Sequence, residues 1–221
     1  MTPKPLNVLV ACEFSGIVRQ AFTDKGHNAV SCDLLDSERP GPHYQGDVMD
    51  IINDGFDLMI AHPPCTYLAG SGARWWASRQ QEQKDAINFF LQLAKAPINK
   101  ICIENPVGIM STVFRKPNQY IQPWEHGHGE TKKTGLWLKN LPMLKPSNVV
   151  SGRTPRVHFM APGKDRSKNR SRSYTGVADA MAAQWSDIDY AKYCQCGRQL
   201  IGAQEKESGM CGVCQWLGVE T

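Results

Sequence analysis

The chain has 221 residues and a mass of 24.6 kDa, long enough to bury a core without disulfide or metal support. Hydrophobic residues make up 41% and charged residues 21% of it, with a net charge of +4; this balance excludes wholesale disorder and fibrous classes. Apolar runs such as Val8–Ala11 and Leu58–Ala61 are far too short to span a bilayer. The opening Met-Thr-Pro-Lys-Pro carries no apolar signal core. A cytoplasmic protein without membrane contact is therefore expected, its eight cysteines serving as thiols or metal ligands.

Four short apolar runs predict strands: Asn7–Ala11, Ala29–Cys32, Asp57–Ala61 and Lys100–Glu104. Behind the first, Ile17, Val18, Ala21 and Phe22 recur at three- and four-residue spacing, and Gly26 marks the stop of that helix. Ser78 with Gln81 reads as a capping box. The helix it opens carries Ile87, Phe90, Leu91 and Ala94 inward and ends before Pro97. Thr134–Leu138 and Val157–Met160 read as further strands, 161–173 as a polar, basic loop, and Val177–Trp185 as a helix. After residue 190 the composition changes, which divides the chain into a main domain, 1–190, and a cysteine-bearing tail, 191–221. Strands alternating with helices predict an α/β fold, a mostly parallel sheet with helices on both faces. In such sheets ligands lie beyond the carboxyl ends of the strands.

The residues just beyond each strand are therefore informative. The first strand leads into Cys12-Glu13-Phe14-Ser15-Gly16 and a helix, a turn where a backbone can approach a ligand and free N–H groups point outward. The second ends at Asp33, placed to accept hydrogen bonds from ribose hydroxyls or to cap a helix. Gly46-Asp47 comes after a third short segment and could border an adenine. Together these fit an adenosine-containing cofactor. His62-Pro63-Pro64-Cys65 comes after the next strand, where two prolines fix the backbone before a cysteine. That cysteine is either a nucleophile in the crevice or a buried structural thiol, and the rigid, polar surroundings favour the nucleophile. Glu104-Asn105-Pro106 ends the strand after that. A glutamate there either caps the strand or binds a base edge and handles a proton.

Other patterns stand apart from the strand ends. Residues 153–172 hold seven basic side chains against one acid, Asp165. They form a solvated loop or a surface for phosphates. Cys194-x-Cys196 and Cys211-x-x-Cys214 are two close pairs suited to a tetrahedral structural zinc. His126-Gly-His128-Gly-Glu130 could be a metal cluster, but Lys132 and Lys133 oppose that, and a loop bordering the site is favoured. Trp75 and Trp76 come soon after the nucleophile segment, either as core packing or as cover for an extruded base.

Phe14-Ser15-Gly16, Pro63-Pro64-Cys65 and Glu104-Asn105, in this order after successive strands, resemble the DNA cytosine carbon-5 methyltransferases. Ser173-Tyr-Thr-Gly176 and the helix after it resemble that family's closing helix. The resemblance implies a Rossmann-like S-adenosylmethionine-dependent methyltransferase fold acting on DNA. Cys65 would be the nucleophile and Glu104 the group on ring nitrogen 3. Arg156 would be the arginine near the base. Glu13, Phe14, Ser15, Gly16, Asp33, Asp47, Pro63 and Gly176 would line the cofactor site. The long target-recognition region of the family is missing, since about fifteen residues separate Met160 from Tyr174, so low sequence selectivity is expected. Modification of a free pyrimidine nucleotide, or nucleic-acid binding without catalysis, are the rival expectations.

Overall fold

The computed structural model describes residues 4–186 together with Leu200, Gly209 and Met210. Among these residues seven strands form one sheet: β1 (Asn7–Ala11), β2 (Asn28–Asp33), β3 (His43–Gln45), β4 (Leu58–Ala61), β5 (Lys100–Pro106), β6 (Gln119–Ile121) and β7 (Thr134–Lys139). Their spatial order is β3-β2-β1-β4-β5-β7-β6. The strands from β1 to β5 pair in parallel, and β7 runs antiparallel to both β5 and β6. The helices are α1 (Ile17–Asp24), α2 (Gln80–Ala94), the single turns α3 (Met110–Val113) and α4 (Arg156–Phe159), α5 (Arg166–Ser171) and α6 (Thr175–Trp185).

The two-residue period of the strands sorts the core into two layers. Val8 and Val10 of β1, with Leu58 and Ile60 of β4, meet Val18 and Phe22 of α1 and Met181 and Trp185 of α6. Leu9, Ala11, Met59 and Ala61, from the alternate positions, meet Phe90 and Leu93 of α2 and Trp137 of β7. Every residue of β4 is buried, which is why a central strand reads as an unbroken apolar run. Each such fully buried aliphatic or aromatic side chain contributes roughly 1.5–3 kcal/mol. Gly26 ends α1 with φ +84, as its position at the turn into β2 requires.

Three local expectations are corrected. Ser78 does not cap α2: it lies in a 3-10 segment, Gly70–Ser78, and its hydroxyl donates to the carbonyl of Trp75. Residues 157–160 form no strand, because Pro155 starts the helical turn α4 there. The segment 161–173 contains α5. Cys194, Cys196, Cys211 and Cys214, and with them the zinc expectation and most of the tail, lie outside the described residues. Among the described residues no helix is long and apolar enough to cross a membrane.

Candidate active site

The strand order reverses between β1 and β4, so the crevice beyond their carboxyl ends is the switch point at which doubly wound sheets bind ligands. At the end of β1, Cys12 adopts φ +58, a left-handed conformation that a side chain tolerates at some cost and that clusters at functional sites. The chain then turns so that Glu13 is buried. Its carboxylate accepts hydrogen bonds from the Ser15 hydroxyl (2.9 Å), the Val18 N–H (2.7 Å) and the Arg19 N–H (3.2 Å). Glu13 and Ser15 thus satisfy the free amides of the first turn of α1 and face inward. Gly16 sits at the N-cap with φ +65, and a Cβ there would lie 2.7 Å from the Arg19 guanidinium.

Arg19 itself is buried. It donates to the Ser31 and Ser37 hydroxyls and to the carbonyls of Arg39, Pro40 and Pro42. This one side chain therefore shapes the connection from β2 to β3. On that connection Asp33 accepts from the Leu35 N–H through one carboxylate oxygen (2.9 Å). Leu34 beside it is 74% exposed. Asp47 accepts from the Met49 N–H (3.0 Å). The Cys12 thiol is pushed up by burial and then by the charges of Asp33 and Asp47, so these three groups share one corner of the crevice.

The ends of β4 and β5 are tied together residue by residue. The His62 N–H donates to the carbonyl of Ala11 (2.9 Å). His62 Nδ1 lies 3.1 Å from Glu104 Oε2, and Asn105 Nδ2 donates to the Pro63 carbonyl (2.8 Å). Cys65 comes next, exposed, with its carbonyl accepting from the N–H groups of Leu68 and Ala69. Burial by itself would raise the Glu104 pKa. The hydrogen bond from His62, the Lys132 charge and Thr134 outweigh it and hold the carboxyl down at about 2. The Cys65 thiol is raised, first by desolvation against the crevice wall and then by Glu104, while Lys132 and Arg170 pull it the other way. The resting pair is thus a carboxylate and a thiol.

Arg156 is not brought to this pair. Its guanidinium lies 2.8 Å from Glu130, whose other oxygen accepts from the Tyr174 hydroxyl (2.8 Å). The cation within reach of both Cys65 and Glu104 is Lys132, at the start of β7. Sequence reasoning missed that role, as it missed His62 and Arg19. The available signal was position: His62 is a polar residue ending an all-apolar strand. Gly176 packs closely on the 126–128 loop. A Cβ there would lie 1.8 Å from the His126 carbonyl, and its N–H donates to His128 (3.0 Å). His126 Nδ1 lies 3.0 Å from the Ser147 hydroxyl. Among the described residues no group of three metal-ligating side chains occurs.

The basic segment is braced against the fold. Arg172 forms a two-pronged pair with Glu38 (2.6 and 2.7 Å), and Lys168 joins it at 3.2 Å. Both cations lie over the Phe14 ring, at 5.0 Å for Lys168 and 5.8 Å for Arg172. Hydrogen bonding from Arg172, helped by Lys168, holds the Glu38 carboxyl down at about 2. Arg166 donates to the Met160 carbonyl, and Arg153 to those of Val150 and Gly152 while lying over Trp124. Among the described residues the side chains of Lys164 and Arg170 make no such bond. Between this strap and α1 lies a cleft of about 470 Å³ bordered by Ile17, Glu130, Arg156, Arg170, Arg172 and Tyr174.

Fold and site together define a doubly wound α/β protein with its reactive side chains gathered at the switch point. No protein-family model and no curated protein matches the chain. Solved structures similar to it include a prophage-encoded E. coli protein described as a DNA modification methyltransferase, at 15% identity and TM-score 0.44, over 71% of this chain and 55% of that one. Another is the S. pombe Dnmt2 methyltransferase, at 13% identity and TM-score 0.40, over 69% of this chain and 53% of that one. The chain spans about half the length of these two neighbours.

Proposed function

We propose that the protein transfers a methyl group from S-adenosylmethionine to carbon 5 of cytosine in DNA, through a transient bond between Cys65 and carbon 6 of the ring. The observation that carries this reading is the pairing of Cys65 and Glu104 at the ends of β4 and β5, with Lys132 in electrostatic reach of both. The neighbouring corner fits the cofactor: Asp33 keeps one carboxylate oxygen for ribose hydroxyls, and exposed Leu34 offers apolar surface to a purine. Phe14, Gly16, Asp47 and Pro63 border that corner in this reading, with Gly176 holding α6 in place behind it. When bound, S-adenosylmethionine supplies an electrophilic methyl group on a sulfonium.

The chain's own residues have three tasks. Cys65 must lose its proton, and Lys132 and Arg170 favour the resulting thiolate. Its sulfur then adds to carbon 6, and the ring's electrons shift toward nitrogen 3 while carbon 5 becomes nucleophilic. The Cys65 proton leaves to solvent and nitrogen 3 takes one from solvent as negative charge develops there, so that the Glu104 carboxylate, an anion at rest, accepts hydrogen bonds from the nitrogen 3 N–H and from the exocyclic amino group. Loss of the carbon 5 proton and departure of the Cys65 thiolate restore the aromatic ring after methylation. In duplex DNA the base must first leave the stack.

The test is transfer of a tritiated methyl group to DNA against free nucleotides. A substrate carrying 5-fluorocytosine should trap a covalent adduct with the native protein and none with Cys65→Ser. Glu104→Gln should lose about 10²–10⁴ in rate. The braced basic strap favours a second reading, modification of a free pyrimidine nucleotide, which needs fewer free cations than a phosphate track; label in nucleotide and none in DNA would select it. The four tail cysteines, Cys194, Cys196, Cys211 and Cys214, are proposed to hold one structural zinc, to be checked by elemental analysis.

A further inference from the structure

Glu104 is buried at a strand end, where a carboxylate is costly unless a partner donates to it. Lys132 attracts it but does not hydrogen-bond it, since the Lys132 ammonium donates to the Arg170 carbonyl at 3.2 Å. Thr134 also favours the anion, although its hydroxyl donates to the Lys132 carbonyl at 3.0 Å. The ring donor is His62, at 3.1 Å, and both side chains are largely shielded from solvent. The imidazole is fixed from behind, because its backbone N–H is bound to the carbonyl of Ala11 and the next residue, Pro63, is bound to Asn105. Its other ring nitrogen, Nε2, is buried and has no hydrogen-bond partner. His62 and Glu104 together line a cavity of about 30 Å³ whose other polar walls are Lys132, Thr134, Ser173 and Tyr174. That volume holds one water, and a polar cavity with several donors and acceptors retains one.

We propose that His62 is the positioning residue of Glu104: its Nδ1 side orients the carboxylate toward the crevice, and its second ring nitrogen binds a water in the small cavity that the two side chains line. This rests on the methyltransferase reading for its consequence in turnover, but not for the pairing itself. The charged and titratable groups facing the pair are Cys65 from the segment after β4, Cys102 from β5, Lys132 from the start of β7, and Tyr174 from the strap. Of these only Lys132 is a cation, and it remains in place when His62 is replaced.

The test is the titration of the Glu104 carboxyl, tracked by carbon-13 NMR in the full chain, for the native protein, His62→Asn and His62→Ala. Asn keeps a donor near the Nδ1 position without the imidazole ring. The native midpoint is expected at about 2. In His62→Ala it should rise by at least about one pH unit toward the ordinary value near 4.3, and in His62→Asn by less. Methyl transfer by His62→Ala at neutral pH, where the carboxylate is ionised in all three proteins, should fall at least about tenfold in kcat with KM for DNA little changed, because a reacting group out of position costs up to about 10²-fold. His62→Asn, which keeps a donor to the carboxylate, should recover part of kcat. Identical Glu104 midpoints in the three proteins would overturn the proposal, and so would an unchanged kcat in His62→Ala. If His62→Ala does not fold, a midpoint in His62→Asn above the native one supports the pairing, and an identical one overturns it. A native protein that methylates neither DNA nor nucleotide would overturn the methyltransferase reading, while the titration still decides the pairing.

Discussion

Glu104→Gln should change the reactivity of Cys65 and the rate of the proposed methyl transfer in opposite directions. The Cys65 thiol lies above its ordinary 9.0, and the Glu104 charge is one of the causes. At pH 7.5 a thiol titrating above 9.0 is less than about 3% ionised, and only the thiolate is alkylated. The rate of iodoacetamide labelling at Cys65 should therefore rise nearly tenfold per pH unit from about 6.5 to 8.5. Glutamine keeps the shape and removes the charge, so labelling should be faster at each of these pH values. The gain is up to about tenfold, the factor for one pKa unit or 1.36 kcal/mol. Lys132→Ala should slow labelling, because that cation favours the thiolate. Labelling is read by mass spectrometry on the Cys65 peptide, with methyl transfer measured on the same samples. Labelling that is unchanged or slower in Glu104→Gln would refute the electrostatic link between the two side chains.

Other parts of the fold give four further expected outcomes. Glu38 has a depressed carboxyl pKa in the folded protein, so its stabilising effect is complete above the unfolded value of 4.5 and fades as pH falls toward about 2. Glu38→Gln should cost about 1 kcal/mol at pH 7, after allowance for solvent screening, and flatten the acid part of a urea-stability profile. Gly176→Ala should lower Tm by roughly 6–12 °C, since the new methyl meets the His126 backbone and forced overpacking costs about 3 kcal/mol. Arg19→Met should leave the Pro40 carbonyl without its donor and take one of two donors from the carbonyls of Arg39 and Pro42, and so speed limited proteolysis within 34–42 at a stability cost of about 1–3 kcal/mol. If DNA is bound, Arg170→Ala should make the slope of log affinity against log salt shallower by about 0.9, whereas Lys168→Ala, already engaged by Glu38, should leave it nearly unchanged.

The central strands were legible because each is buried on both faces and so reads as an apolar run; β1, β2, β4 and β5 all fall where those runs lie. The strands β3 and β6, three residues each, are too short to show a period. Val157–Met160 looks like a strand by composition, yet Pro155 and the bend of the chain into the strap make it a helical turn. The placement of candidate residues was legible wherever it derives from a strand end, as for Cys65, Glu104 and Asp33. It was not legible where the role depends on a distant partner. The resemblance implies Arg156 near the base; its guanidinium lies on Glu130, 26 residues earlier, and Lys132 is a cation in electrostatic reach of Cys65 and Glu104. Nor could the count of seven basic residues reveal that Glu38, more than a hundred residues upstream, holds two of them.

The reversed direction of β7 governs where the chain tolerates added length. Parallel strands present their last residues to the crevice, whereas an antiparallel neighbour presents its first ones, which is how Thr134 arrives opposite Pro106, with Lys132 just before it. The excursion between Pro106 and Thr134 therefore leaves and re-enters at the same rim. An insertion there would enlarge the mouth of the crevice without rethreading a strand or lengthening a crossover. An odd-numbered slip in the β5–β7 register, by contrast, would turn Leu136 and Leu138 out of one core layer and Trp137 out of the other. Diversification by lengthening is thus confined to the rim and the strap, and the ladder of β5 and β7 fixes the ruler against which any such enlargement is measured.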